Sequence, residues 1–137
     1  MTADNYESIL TALCLFREAR GCEEDAKLAV ANVIYNRRDD PKNRWPKTLA
    51  GVILQHMQFS SFNAGANPDA VFPVPGSAEW PAWLACCDVV DLMAHRIDPT
   101  DGAQFYHSIP EGQPWPHWTT VFTQTAQIGP FRFYRED

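Results

Sequence analysis

One stretch limits the choice of fold more than any other. Ala26, Ala29, Val30, Val33, Ile34 and Arg37 recur at spacings of three and four, the repeat that places residues on one face of an α-helix. Glu23, Glu24 and Asp25 stand where its first turn begins, and Arg37 and Arg38 where it ends, so both ends complement the helix dipole. Alanines make up much of the apolar face, which invites close approach by other helices. Upstream, Ile9, Leu10, Leu13 and Phe16 recur at helical spacing, with Asp4 or Asn5 to cap and Gly21 to stop the helix. Downstream, Thr48 caps a short third helix through Leu49, Val52, Ile53 and His56. Ser77 opens a fourth, on which Trp83, Cys86, Val90, Met93 and Ile97 share a face.

After Asp98-Pro99-Thr100-Asp101-Gly102, a turn signal, the character changes. Ala103 to His107, Thr119 to Gln127 and Phe131 to Tyr134 read as strands, with Ile128-Gly129-Pro130 between the last two. The pattern predicts an α+β, mainly α, fold in a single domain over residues 1–137, with a small C-terminal β element. The irregular stretch holding Gly65, Pro68, Pro73, Pro75 and Gly76 is long enough to be functional.

A net charge of −6 does not suit nucleic-acid binding and gives no general attraction to an anionic polymer, which must be met by a local cleft. No apolar run approaches the roughly 18 residues of a membrane span. Cys14, Cys22, Cys86 and Cys87 form no C-x-x-C pair and read as free thiols, with a Cys14–Cys22 bridge left open. His56, His95, His107 and His117 fit no His-Glu-x-x-His pattern, so no metal or other cofactor is expected. No Gly-x-Ser-x-Gly elbow marks a nucleophilic serine.

The chemistry centres on Glu18, in Phe16-Arg17-Glu18-Ala19-Arg20-Gly21 at the end of the first helix. A carboxylic acid there can line a cleft, where desolvation raises its pKa from about 4.3 toward about 6. A surface Glu paired with Arg17, Arg20 or Arg37 is the other reading of the same residues.

Five segments separate these readings. They are Glu18 to Gly21, Ala29 to Arg37, Gln58 to Ser60, Asp98 to Ala103 with Phe105-Tyr106, and Ile128-Gly129 with Phe133-Tyr134. In this order they resemble the SleB-like cell-wall hydrolases, whose best-known members are spore-cortex-lytic enzymes. The resemblance implies a lysozyme- or transglycosylase-like fold, with Glu18 in a groove that takes the glycan strand of peptidoglycan. It implies a lytic transglycosylase that uses one carboxyl group and leaves 1,6-anhydromuramic ends. A muramidase-type hydrolase using water, with Glu23, Glu24 or Asp25 as helper, and a silent glycan-binding module are the alternatives. Gln58, Ser60, Tyr106 and Arg20 are expected to contact substrate. Trp118 is expected to stack on a sugar face, and Trp45, Trp80 and Trp115 are further candidates. Two positions depart from the family pattern. Cys22 stands where a second Glu is frequent, and Phe131 stands where a His is usual, so any role of that imidazole is lost or passes to His107 or His117. A monomer acting on peptidoglycan is expected. Residues 1–7 show no secretory signal, so the expected route is cytoplasmic synthesis with delivery to the wall by other means, such as phage lysis.

Overall fold

A computed structural model of the chain describes residues 5–55, 59–62, 70–109 and 115–137. Four helices precede a three-stranded sheet: α1 (Asn5–Ala19), α2 (Glu24–Arg38), α3 (Leu49–Leu54), α4 (Trp80–Leu92), β1 (Phe105–Ser108), β2 (Thr123–Ile128) and β3 (Phe131–Arg135). The mainly helical α+β expectation holds. No helix among the described residues is long and apolar enough to cross a membrane.

The alanine face of α2 explains the packing. Ala26, Ala29, Val30, Ala31 and Val33 are fully buried and join Leu15 and Phe16 of α1, Cys86 and Val89 of α4, and Phe131 and Phe133 of β3 in one core. Cys14, Ile34, Leu49, Val52, Ile53 and Phe59 form a second core between α1, α2 and α3. At the β2–β3 turn Gly129 takes a φ of +55°, and a Cβ there would lie 3.1 Å from the Ala26 Cβ. Both its conformation and its closeness to α2 therefore favour glycine.

Polar residues of α2 tie the helices to the sheet. Asn32 donates to the Ile97 carbonyl (2.8 Å), Asn36 to the Ala103 carbonyl and to Asp98 Oδ2 (2.9 Å each), and Arg37 Nε to the Gln104 carbonyl (2.7 Å). Asp98 also accepts from the Thr100 and Gly102 amides, closing the turn that enters β1. Burial pushes the Asp98 carboxyl up, but the Thr100 and Asn36 hydrogen bonds outweigh it and hold the group below its ordinary value. The sheet is antiparallel in the order β1-β3-β2, with Tyr106 opposite Phe133 and His107 opposite Arg132.

Several expected boundaries move. Helix α1 ends at Ala19, where the Cys22 amide donates to the Ala19 carbonyl (2.9 Å), and Gly21 is not among the glycines of positive φ. The fourth helix starts at Trp80 because Ser77 closes a turn onto Trp80 (3.1 Å) and Pro81 follows in the first helical turn. It tightens to a 3-10 turn over Met93–His95, and Arg96 at φ +51° redirects the chain, leaving Ile97 exposed and off the core face. Ile9 is exposed as well. Thr48 does cap α3, accepting from the Gly51 amide (3.0 Å), but α3 stops at Leu54. Strand β1 starts at Phe105 because Ala103 belongs to the Asp98 turn, and β2 starts at Thr123 because His117–Thr120 forms a 3-10 turn. All four cysteines are free, which removes the Cys14–Cys22 bridge. Asp4 and His56 lie outside the described residues.

Candidate active site

Thr11 and Cys14 on α1 are fully buried, and Glu18 follows Cys14 by four residues on the same helical face. Near the end of the helix that face opens into a cavity of about 460 Å³, lined by Arg17, Glu18, Arg37, Tyr106, His107, Ser108 and Phe131. Helix α1 supplies the carboxyl, α2 one wall, and the β1 and β3 strands the other. The Tyr106 hydroxyl donates to Glu18 Oε1 at 2.9 Å. Tyr106 is held from behind by Phe131, edge-on at 5.2 Å, and Phe133, stacked at 5.8 Å. Burial, and then the charge of Glu18, push its hydroxyl well above the ordinary tyrosine value, so it stays a donor across the working pH range. Burial, with Glu18 next in effect, likewise keeps the Cys14 thiol neutral.

Two cations line the same cavity. Arg17 Nε donates to the Val71 carbonyl and Nη1 to the Ser61 carbonyl (2.9 Å each), while its guanidinium lies over Phe62 and Phe72. Desolvation lowers its pKa. Arg37 is 5% exposed, sits among the rings of Trp45, Phe59 and Phe105, and leaves Nη1 buried without a hydrogen-bond partner. Burial brings its pKa down to about 10, so it remains a cation near neutrality.

The expected site residues divide. Glu18 and Tyr106 meet in the cavity, 88 positions apart in sequence. Arg20 does not line it. Its Nε pairs with Glu79 (3.1 Å) and its Nη1 donates to the Phe16 carbonyl, which draw it toward the start of α4. Trp118 is also absent from the cavity lining and packs on the outer face of the sheet against Phe105, Phe122, His107 and Tyr134. Trp45 packs edge-on against Phe105, Trp80 lies beside Trp83, and Trp115 is 43% exposed. Ser60 opens the Ser60–Phe62 turn, and Gln58 lies outside the described residues. His107 borders the cavity together with Phe131, whereas His117 is exposed on the His117–Thr120 turn. Glu23 precedes α2 in an exposed position, and Asp25 caps the Ala26 amide (2.8 Å). Among the described residues no three His, Cys, Asp or Glu side chains are grouped to hold a metal ion.

Arg17 and Arg37, which the sequence offers only as partners of a surface Glu18, line the cavity themselves. The signal for Arg37 was its place in the apolar repeat of α2, where a charge has no reason to be unless something calls for it. Arg17 gave none beyond standing next to Glu18.

Residues 21–134 match the sequence profile of the Cell Wall Hydrolase family. Glu18 lies just ahead of the matched stretch. No curated protein matches. Among solved structures, the catalytic domain of the germination-specific lytic transglycosylase SleB from Bacillus anthracis superposes with a TM-score of 0.69 at 23% identity, covering 98% of this chain and 97% of that one. The catalytic domain of the Bacillus cereus SleB protein gives 0.66 at 24% identity, covering 98% and 93%. At these identities the two likenesses establish the fold. The family match spans most of the chain, and this protein therefore belongs to the Cell Wall Hydrolase family.

Proposed function

We propose that the protein cleaves the glycan strand of peptidoglycan as a lytic transglycosylase, with Glu18 as both acid and base. One observation carries this reading. Glu18 is the single carboxyl group among the described residues that line the cavity, and a neutral hydroxyl is fixed on its Oε1. Glu18 protonates the glycosidic oxygen between N-acetylmuramic acid and N-acetylglucosamine, and the C1–O bond breaks. The muramic 6-hydroxyl closes onto C1 and returns its proton to Glu18, leaving a 1,6-anhydro ring. Between those steps Glu18 is a carboxylate, which the Tyr106 hydroxyl and the cations Arg17 and Arg37 favour. The Bacillus anthracis neighbour, described as a lytic transglycosylase, supports the same direction.

A hydrolase needs a second carboxyl group about 5 Å or roughly 6.5–9.5 Å from the first. Glu23, Glu24, Asp25 and Asp98 do not line the cavity, and Asp98 is consumed in closing its turn. Digestion of purified sacculi followed by mass spectrometry tests the proposal. Muropeptides one water lighter than hydrolysed ones are expected, and wholly reducing ends would establish the hydrolase instead.

A further inference from the structure

Five of the eight arginines pair with carboxylates: Arg20 with Glu79, Arg38 and Arg96 with Asp39, Arg44 with Asp40 and Glu136, and Arg135 with Asp101 and Asp137. Arg17, Arg37 and Arg132 pair with no acid among the described residues. Two of them line the Glu18 cavity and spend hydrogen bonds on backbone carbonyls. Arg132 has no such bond. Its Nε is buried without a partner, and its guanidinium lies over the Trp115 ring, 4.5 Å from the centroid.

The position of Arg132 gives it meaning. It stands directly opposite His107 in the β1–β3 register, and His107 borders the cavity. The His107 and Trp115 rings are 5.1 Å apart. The His107 ring lies on the sheet face opposite Tyr106 and shares it with Trp115 and Arg132, so the Arg132 guanidinium stands around the β1 edge from the Glu18 cavity. A guanidinium stacked on an indole is oriented, and its edge suits the planar, bidentate geometry of a carboxylate. Its partial desolvation costs free energy that an incoming anion would recover.

We infer that Arg132, held by Trp115, is a subsite for a carboxylate of the peptide stem carried by the glycan strand beside the cleavage point. This rests on the reading that the strand lies in the Glu18 cavity. The N-acetylated sugars are neutral, and once the muramic lactyl group is amide-linked, the acidic groups of the polymer sit on the stems. A cation on the outer face of the sheet, around the β1 edge from the sugar cavity, meets a stem that turns over that edge. Arg132 thereby sets specificity for the charge state of the stem without taking part in bond cleavage.

The test uses soluble peptidoglycan strands with free stem carboxylates and the same strands with those carboxylates converted to amides. Binding is measured in a Glu18→Gln background, so that cleavage does not interfere. The acidic strands should bind about tenfold tighter than the amidated ones, the scale of one charged hydrogen bond. Adding Arg132→Gln should abolish that ratio while affinity for amidated strands persists. Trp115→Leu, at an exposed position, should shrink the ratio too and serves if Arg132→Gln does not fold. An unchanged ratio in both variants, or no preference in the Glu18→Gln protein itself, overturns the subsite and leaves the glycan reading standing. Failure to bind either strand overturns both.

Discussion

At Glu18, the amide of Glu18→Gln can still accept from Tyr106 but has no proton to give the leaving oxygen. Activity on sacculi should fall by about two to four orders of magnitude with the melting temperature nearly unchanged, since general acid catalysis supplies that much. A folded variant with wild-type turnover would remove Glu18 from the chemistry. Tyr106→Phe is subtler. The ring contacts with Phe131 and Phe133 survive, and only the hydroxyl on Glu18 Oε1 is lost. We expect kcat to drop about tenfold, the value of one hydrogen bond to a charged group, with KM little changed. A rise in KM at constant kcat would show that Tyr106 binds sugar and does not fix the acid. Motif membership singles out both residues in the sequence, and the fold brings them together in one cavity. Arg20 belongs to the same motif as Glu18 but does not line the cavity. Motif membership marks a residue as constrained, and the Glu79 pair shows that what constrains Arg20 in this chain is the α1–α4 junction.

Helix α2 was readable from apolar spacing because its buried face is continuous, whereas α1 was located to within a few residues although its core face runs through Ala12, Leu15, Phe16 and Ala19 and leaves Ile9 exposed. Ends were less legible. Where α4 stops depends on Arg96 adopting φ +51°, and no local repeat announces that. The link between α2 and β1 was also hidden, although both partners stood out separately. Asn36 and Arg37 reach the turn at 98–104 with three hydrogen bonds, so two motifs about sixty residues apart form one structural unit. Asn36→Ala removes the donor from the Ala103 carbonyl and from Asp98 together. Stability should fall by about 1–3 kcal/mol, read as a lower urea midpoint at unchanged m-value. Activity should fall further than the unfolded fraction explains, because the same turn sets where Tyr106 stands. Loss of stability with full activity in the folded fraction would show that β1 is held by other contacts.

On the scale of the molecule, the acid sensitivity of the fold can be read from its buried ion pair. Asp40 is almost fully buried and accepts from Arg44 Nε (2.9 Å) and Nη2 (3.0 Å), and Arg44 also reaches Glu136 near the C-terminus. The Arg44 hydrogen bonds hold the Asp40 carboxyl far below its ordinary value of 3.8. The unfolded chain therefore binds the proton first, and the stabilisation is fully present above about pH 4 and lost as pH falls below it. Urea midpoints should be flat from pH 7 to about 5 and decline below about 4. Asp40→Asn should be less stable at neutrality yet show a shallower acid decline. An equal decline in both proteins would assign acid sensitivity to other carboxyls. The 88 residues between Glu18 and Tyr106 carry one more consequence. The carboxyl leaves the ribosome with the first helix, whereas its hydroxyl partner arrives only when most of the chain has been made. A nascent or prematurely terminated chain thus holds the acid without its partner or its sheet wall, so the paired cavity forms only once most of the polypeptide has been made.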